Sequence, residues 1–247
     1  MHEKDFWRVE QACRDAWPAV REEMLHGWLM RMSKGETRRT SSVNQTPSTA
    51  SLEHVLPAAE TFYSRFERPL LFRTLSFQPQ FEMQLAARDF MPSDPTSTLW
   101  ASLEAAPNPG AHKVELNLVP SPDWIADKLR LTPMSQTQEK AYRFMLKSLK
   151  VPAAFVRIVE EGQGVSVAYG AISNGLLVIE SVVTDINRRG HRLAEAAVGS
   201  LMAWGAGFGA AASCLQVVSD NAPAVALYKR LGYEKELYRY RYWQAVS

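Results

Sequence analysis

The stretch Thr184–Ser200, TDINRRGHRLAEAAVGS, decides how this chain is read. It closes a nearly continuous apolar run, Leu176–Thr184, as expected of an inner strand covered on both faces. The chain then turns through Asp185–Arg188 and enters an Ala-rich segment that reads as a helix from about His191–Leu193. Arginines, a glycine and a helix start therefore coincide. The first amides of a helix have no internal acceptor, and the helix dipole adds partial positive charge at the same end. Together these favour an anion. Gly190 permits a tight turn and a close backbone approach. On the residues alone two readings stand: a pocket for a diphosphate, or a solvated basic helix start. Neither GxxxxGK[ST] nor GxGxxG after a strand is present.

The 247 residues carry a formal net charge of +2, and 46% of them are hydrophobic. That balance is ordinary for a globular protein and gives no global reason to expect a nucleic-acid partner. The two cysteines, Cys13 and Cys214, lack the spacing of a metal site or a disulfide framework. No metal is expected, and a reducing, cytoplasmic setting is. The opening MHEKDFWRVEQ is charged and does not read as a signal peptide. Ala196–Ser219 lacks charge over the length of a membrane span, yet it is built mainly of Ala, Gly and Ser, with Gly205, Gly207 and Gly209 punctuating it. A helix followed by a buried strand explains it better, and no membrane partner is expected.

Along the chain, apolar spacing predicts a first helix over Lys4–Glu23, a strand pair turning near Lys34-Gly35, and a helix from Leu52 with Ser51 as N-cap. A strand at PLLFRTLSF, a helix at PQFEMQLAARDF and a strand at STLWASLE follow. APNPGAHK, 106–113, is the linker candidate. Beyond it come a strand (VELNLV), two helices, and three strands separated at Gly162-Gln163-Gly164 and Asn174-Gly175, the latter a hairpin signal. The helix from Leu193, the strand SCLQVVS, the helix APAVALYKRLG and the strand EKELYRYRYW complete the order. Both halves read as hairpin, helix, strand, helix, strand, a weak internal repeat in pattern.

A second signal lies downstream. RGHRLA at 189–194 is followed, about 25 residues later, by NAPAVALYKRLGY at 221–233. This pair resembles the GCN5-related N-acetyltransferase (GNAT) superfamily, and within it the branch opening V-x-T-x-P-x-x-R-G-x-G and closing N-x-x-A-x-x-L-Y-x-x-L-G-F. The likeness spans about 111–247. It implies an α/β fold with a mixed, mostly antiparallel sheet flanked by helices, and two tandem GNAT-like domains: a degenerate one over 1–108 and a catalytic one over 109–247. It implies acetyl-CoA as co-substrate. Arg189, Gly190, His191, Arg192, Leu193 and Ala194 would cradle its diphosphate. Val182, Val183 and Thr184 would pair with the pantetheine arm, Asn221 would touch that arm, and Tyr228 would protonate the leaving thiolate. Arg192 stands where the family expects glycine, and Asp185-Ile186 lacks the proline common in that turn.

Amine acetylation needs a proton acceptor. Glu180, just before the acetyl-binding segment, is the candidate; the other reading makes it a strand glutamate at a solvent-facing edge. Tyr228 has an alternative as a helix tyrosine packed on the sheet. His191 is read as contributing backbone only, and His2, His26, His54 and His112 as surface or structural residues. In the first half, GWLMRMSKGETRRTSSVN at 27–44 resembles the opening of some two-domain GNAT proteins. Arg31, Arg38 and Arg39 are read either as a solvated hairpin face or as part of a half that walls the acceptor pocket or recognises an acidic acceptor. Trp28, Trp100 and Trp124 are open between core and cleft. The expectation is acetyl transfer to a primary amine, on a small molecule or a peptide, by a monomer or homodimer. The alternative is a non-catalytic acyl-CoA sensor or scaffold.

Overall fold

The computed structural model describes residues 2–35, 37–104 and 112–245. Chain order is α1 (Glu3–Ala16), β1 (Arg21–Leu25), β2 (Trp28–Met32), β3 (Ser42–Asn44), α2 (Leu52–Ser64), β4 (Leu71–Leu75), α3 (Pro79–Ala86), β5 (Phe90–Pro92) and β6 (Thr96–Ser102). Then follow β7 (Val114–Asn117), α4 (Pro122–Leu131), α5 (Gln136–Lys147), β8 (Ala153–Glu160), β9 (Gln163–Ser173), β10 (Leu176–Thr184), α6 (Leu193–Gly207), β11 (Ala212–Val218), α7 (Ala222–Arg230) and β12 (Lys235–Ala245). The stretch that passes the length test for a membrane span is the body of α6 followed by β11. No helix among the described residues is long and apolar enough to cross a membrane.

Two expectations near the start are corrected. The first helix stops at Ala16 rather than running to Glu23. Pro18 has no N–H and restricts Trp17 to extended backbone, and Arg21–Glu23 instead begin β1. The first hairpin turns at His26-Gly27, both with positive φ (49° and 76°), and not at Lys34-Gly35. Two central residues with positive φ match the right-handed twist of the flanking strands. Ser51 precedes α2 as expected, but its side chain makes no capping bond to the helix backbone.

The strands form one sheet in the order β1-β2-β3-β4-β12-β6-β11-β10-β9-β8-β7, with β5 also paired to β12. Neighbours are antiparallel except β3/β4 and β10/β11. The halves trade their last strands. β6, from the first half, pairs with β11, while β12, from the second, pairs with β4. The linker expected at 106–113 lies, from 106 to 111, outside the described residues, as does the boundary at 108/109.

Three apolar clusters hold the layers. Leu193, Ala197, Val198 and Leu201 of α6, with Tyr228 of α7, pack on one face of β8–β11. Val9 and Cys13 of α1, Trp124 of α4 and Tyr142 of α5 cover the opposite face. Trp28, Met30, Val55, Phe62 and Phe72 form the core of the first half. Trp28 and Trp124 are thus core residues, and Trp100 packs half-buried against the second of these clusters. The Trp124 indole N–H donates to the Val156 and Ala168 carbonyls at 3.1 and 3.2 Å, which satisfies its one polar atom inside the core.

Candidate active site

The site begins where two parallel strands stop pairing. β10 and β11 are matched only from Leu176/Ala212 to Ile179/Leu215. β10 runs on to Thr184 and β11 to Val218, so beyond Ile179 the two separate. On the other side β10 slips against β9 between Glu180 and Val183, with Ser181 left-handed at φ +57°. One extra residue in a strand leaves a local gap in the ladder and re-aims the side chains around it. A non-glycine residue held there costs about 1–3 kcal/mol, a cost tolerated chiefly at functional sites.

The opening leads to a cavity of about 380 Å³. It is lined by Val182, Val183 and Thr184 of β10, by Arg189, Gly190, Arg192, Leu193 and Ala194 at the start of α6, and by Asn221 and Tyr228 of the α7 segment. His191 is exposed and is not part of this lining. Gly190 has φ +85° and open space around it, so the turn brings backbone rather than side chain to the cavity. Sequence reasoning missed Arg188, Glu195 and Arg230, which also line the cavity. Glu195 lies between Arg192 (4.0 Å) and Arg230 (3.3 Å), contacts that local spacing does not fully reveal. Four arginines against one glutamate leave the mouth strongly positive.

Arg192 itself is left-handed at φ 58°, which accounts for a glycine preference at this position. Its side chain is 76% exposed. Asn221 does a second job besides lining: its side chain accepts from the Ala224 N–H at 3.2 Å and caps α7.

Tyr228 is 9% exposed and packs edge-on against Tyr233, with ring centroids 5.9 Å apart. Burial, and secondarily the charge of Glu180, push its hydroxyl up to about 12. It therefore stays protonated at neutral pH. It packs on the sheet and also lines the cavity.

Glu180 lies on an inner strand and is 5% exposed, so the reading as a solvent-facing edge residue does not hold. Both its oxygens accept from Arg39, at 2.6 and 3.1 Å. The Arg39 guanidinium stacks over Trp17 at 4.3 Å. Burial opposes the Arg39 charge, but Glu180 outweighs that and raises its pKa. Arg31 is buried too, donating to Glu22 and to the Trp17 and Arg39 carbonyls, and Arg38 lies 4.9 Å from the Tyr242 ring centre. The solvated-face reading of Arg31 and Arg39 is corrected accordingly. Their partners come from β1, from the end of α1 and from β10, none of which local sequence connects.

The fold and the opening between β10 and β11 place the chain among the GCN5-related N-acetyltransferases, an acyltransferase class. A family model described as "Probable histone acetyltransferase Rv0428c C-terminal" matches residues 4–243, and the chain belongs to this family. It is 23% identical over 234 residues to the "Uncharacterized N-acetyltransferase YobR" of Bacillus subtilis (strain 168), covering 93% of this chain and 94% of that one. Among solved structures, a GCN5-related N-acetyltransferase from Kribbella flavida superposes with a TM-score of 0.73 at 17% identity, covering 98% of this chain and 95% of its own. A tandem GNAT protein from the clavulanic acid biosynthesis pathway superposes with a TM-score of 0.69 at 13% identity, over 83% and 74% of the two chains.

Proposed function

We propose that the protein moves an acetyl group from acetyl-CoA to a primary amine by direct attack. The observation that carries this reading is the separation of β10 from β11 directly beside an arginine-rich helix start. The unpaired edge of Val182–Thr184 suits an extended amide-bearing arm. The first amides of α6, with Arg188, Arg189, Arg192 and Arg230, suit the charge of a diphosphate. Asn221 faces the same cavity from the α7 side.

Acetyl-CoA would supply an activated thioester; the rest falls to the chain's own residues. The backbone N–H near Val183 would stabilise negative charge developing on a carbonyl oxygen. Tyr228 holds a proton at its hydroxyl that it can release to a thiolate. The acceptor amine, with a pKa near ~10.4, must lose a proton at a cost of about 4.6 kcal/mol at pH 7. Glu180 is the carboxylate at this junction and is the group we assign to receive it, with Arg39 holding it in place through two hydrogen bonds.

The first half reads as a degenerate second copy. Its parallel pair β3/β4 corresponds to β10/β11 in element order, but Gln45 fills the place beyond the pairing, its side-chain oxygen accepting from the Leu75 N–H at 2.6 Å. No arginine-glycine turn precedes α2.

The direct test is acetyl-CoA binding by calorimetry together with thiol release over a panel of amines. Binding with amine-dependent turnover is expected. Binding without turnover on any amine would favour the acyl-CoA sensor reading instead.

A further inference from the structure

The turn that carries the arginines of the candidate site is anchored from α4, a helix outside the cavity lining. Beyond the bulge, β10 stays on β9 as far as Thr184/Ser166, and the Asp185 N–H adds a bond to the Val165 carbonyl at 2.9 Å. The chain then leaves the sheet through a single 3-10 turn, Ile186–Arg188, and brings Arg188, Arg189 and Gly190 to the cavity. Asp185 opens that turn. Its Oδ1 accepts from the Asn187 N–H at 2.9 Å, and its carbonyl accepts from the Arg188 N–H at 2.9 Å. Its second carboxylate oxygen, Oδ2, lies 3.5 Å from Arg130 Nη1.

Arg130 is itself fixed. Its Nη2 donates to the Gly164 carbonyl at 2.6 Å and to Asp127 Oδ1 at 3.1 Å. Asp127 is buried, and its Oδ2 accepts from Arg157 Nε at 2.8 Å and from the Gly164 N–H at 3.1 Å. Gly164 allows that approach, because a Cβ there would collide with Asp127 Oδ2. Charge-assisted contacts thus run from Arg157 of β8, through Asp127 and Arg130 of α4, to Asp185 at the start of the arginine turn.

Asp185 is a carboxylate three residues before Arg188 and four before Arg189. Its negative charge opposes a bound anion, so geometry has to account for its place there. Its backbone, φ −50° and ψ 129°, is the extended form that a residue preceding proline adopts. The next residue, Ile186, is 71% exposed and stands where the branch that the motif resembles carries proline. A proline ring restricts such a turn covalently; here the contacts of Asp185 do so.

We infer that Arg130, acting through Asp185, is a positioning residue for the diphosphate of acetyl-CoA. The pair holds Arg188–Gly190 in the conformation that meets the phosphates. This rests on the acetyl-transfer reading and goes beyond it, since neither residue lines the cavity.

The test uses the full chain, with acetyl-CoA as the probe, and reads Kd by calorimetry alongside steady-state kinetics. Asp185→Ala separates two accounts by sign. If charge alone matters, removing a carboxylate near an anion site tightens binding; if positioning matters, binding weakens. The expected result is an acetyl-CoA Kd raised about tenfold, within the coupling range of contacting residues, with kcat and the amine KM nearly unchanged. Asp185→Asn, nearly isosteric, keeps an acceptor for the Asn187 N–H and should weaken binding in the same direction. Arg130→Met should weaken it too, and the double variant Arg130→Met/Asp185→Ala should be no weaker than either alone. Ile186→Pro added to Asp185→Ala should restore most of the affinity, because the ring restricts the turn without a charge. Hydrogen exchange at residues 187–190 of the ligand-free protein should rise in Asp185→Ala and fall again with the proline, and melting curves check that each variant folds. Unchanged or tighter acetyl-CoA binding by folded Asp185→Ala or Asp185→Asn overturns this inference and leaves acetyl transfer standing. Failure of the unsubstituted protein to bind acetyl-CoA overturns the reading beneath it, and unchanged exchange at 187–190 in Asp185→Ala overturns the anchoring of the turn.

Discussion

Arg39 and Glu180 stand 141 residues apart in sequence and are joined by two hydrogen bonds of 2.6 and 3.1 Å. The pair links the first half of the chain to the bulged segment of β10 on which the candidate site is built. The bulged end of β10 is therefore held by a residue from the first half. Glu10 and Arg73 repeat the arrangement deeper in the fold, at 2.6 and 3.0 Å, with Tyr238 of β12 donating to the same carboxylate.

Glu180→Gln tests the proton-acceptor role. At pH 7 the acceptor amine is charged, and the variant should lose about 100-fold in kcat/KM, within the range of general-base effects. As pH rises toward the amine pKa of ~10.4 the amine sheds its own proton, and the deficit should shrink. A pH–rate profile of both proteins reads this. A deficit that stays constant with pH assigns Glu180 a purely structural role. The glutamine oxygen can still accept from Arg39, and a melting curve checks that the fold survives.

Tyr228→Phe removes the hydroxyl and keeps the ring that packs on Tyr233. kcat should fall about 100-fold, at the low end of general-acid effects, with acetyl-CoA affinity nearly unchanged. Because burial holds this hydroxyl up to about 12, the unsubstituted enzyme should show no alkaline loss assignable to Tyr228 below about pH 11. Unchanged kcat in the variant removes Tyr228 from the acid role.

Arg192→Gly should stabilise the protein. A left-handed non-glycine residue costs about 1 kcal/mol, and relieving it should raise Tm by roughly 2–4 °C in a chain of this size. The lost guanidinium is exposed, so the acetyl-CoA Kd should rise by no more than about fivefold, the equivalent of ~1 kcal/mol. Calorimetry and a melting curve read the two effects separately. A larger loss of affinity would mean that the side chain, and not the backbone, carries the contact.

Lys128 supplies a pH test of stability. Burial lowers its pKa from 10.5 to about 8, partly countered by Glu180. A folded pKa below the unfolded one means that protonation favours unfolding. The penalty is absent above about pH 10.5, grows as pH falls, and is complete below about pH 8. Lys128→Met should therefore gain on the order of 3 kcal/mol at pH 7 and nothing near pH 10.5. Denaturant melts at the two pH values measure it. Equal gains at both would trace the effect to packing.

What could be read from sequence was what local chemistry encodes. The Arg189–Ala194 turn announces itself because its arginines, its glycine and a helix start are contiguous in the chain. The Asn221–Tyr233 segment does so through its cap, its tyrosine and its closing glycine. Ten of the eleven residues expected at the cofactor site line one cavity; His191 does not. The Arg39–Glu180 pair was hidden because its members are brought together by β-sheet register, not by spacing. The exchange of β6 and β12 was hidden for a related reason: hydrophobic alternation predicts a strand but not its neighbour. The end of α1 was misplaced because Arg21–Glu23 continue a polar pattern that a helix face and an edge strand share.

The central claim is that the backbone of residues 190–194, with the surrounding arginines, holds the diphosphate of acetyl-CoA while its thioester lies along Val182–Thr184. A crystal structure of the complex tests it most directly. The expected result shows the phosphates bonded to the first amides of α6 and the thioester near Tyr228. Phosphates bound elsewhere, or a thioester lying away from Val182–Thr184, would contradict it.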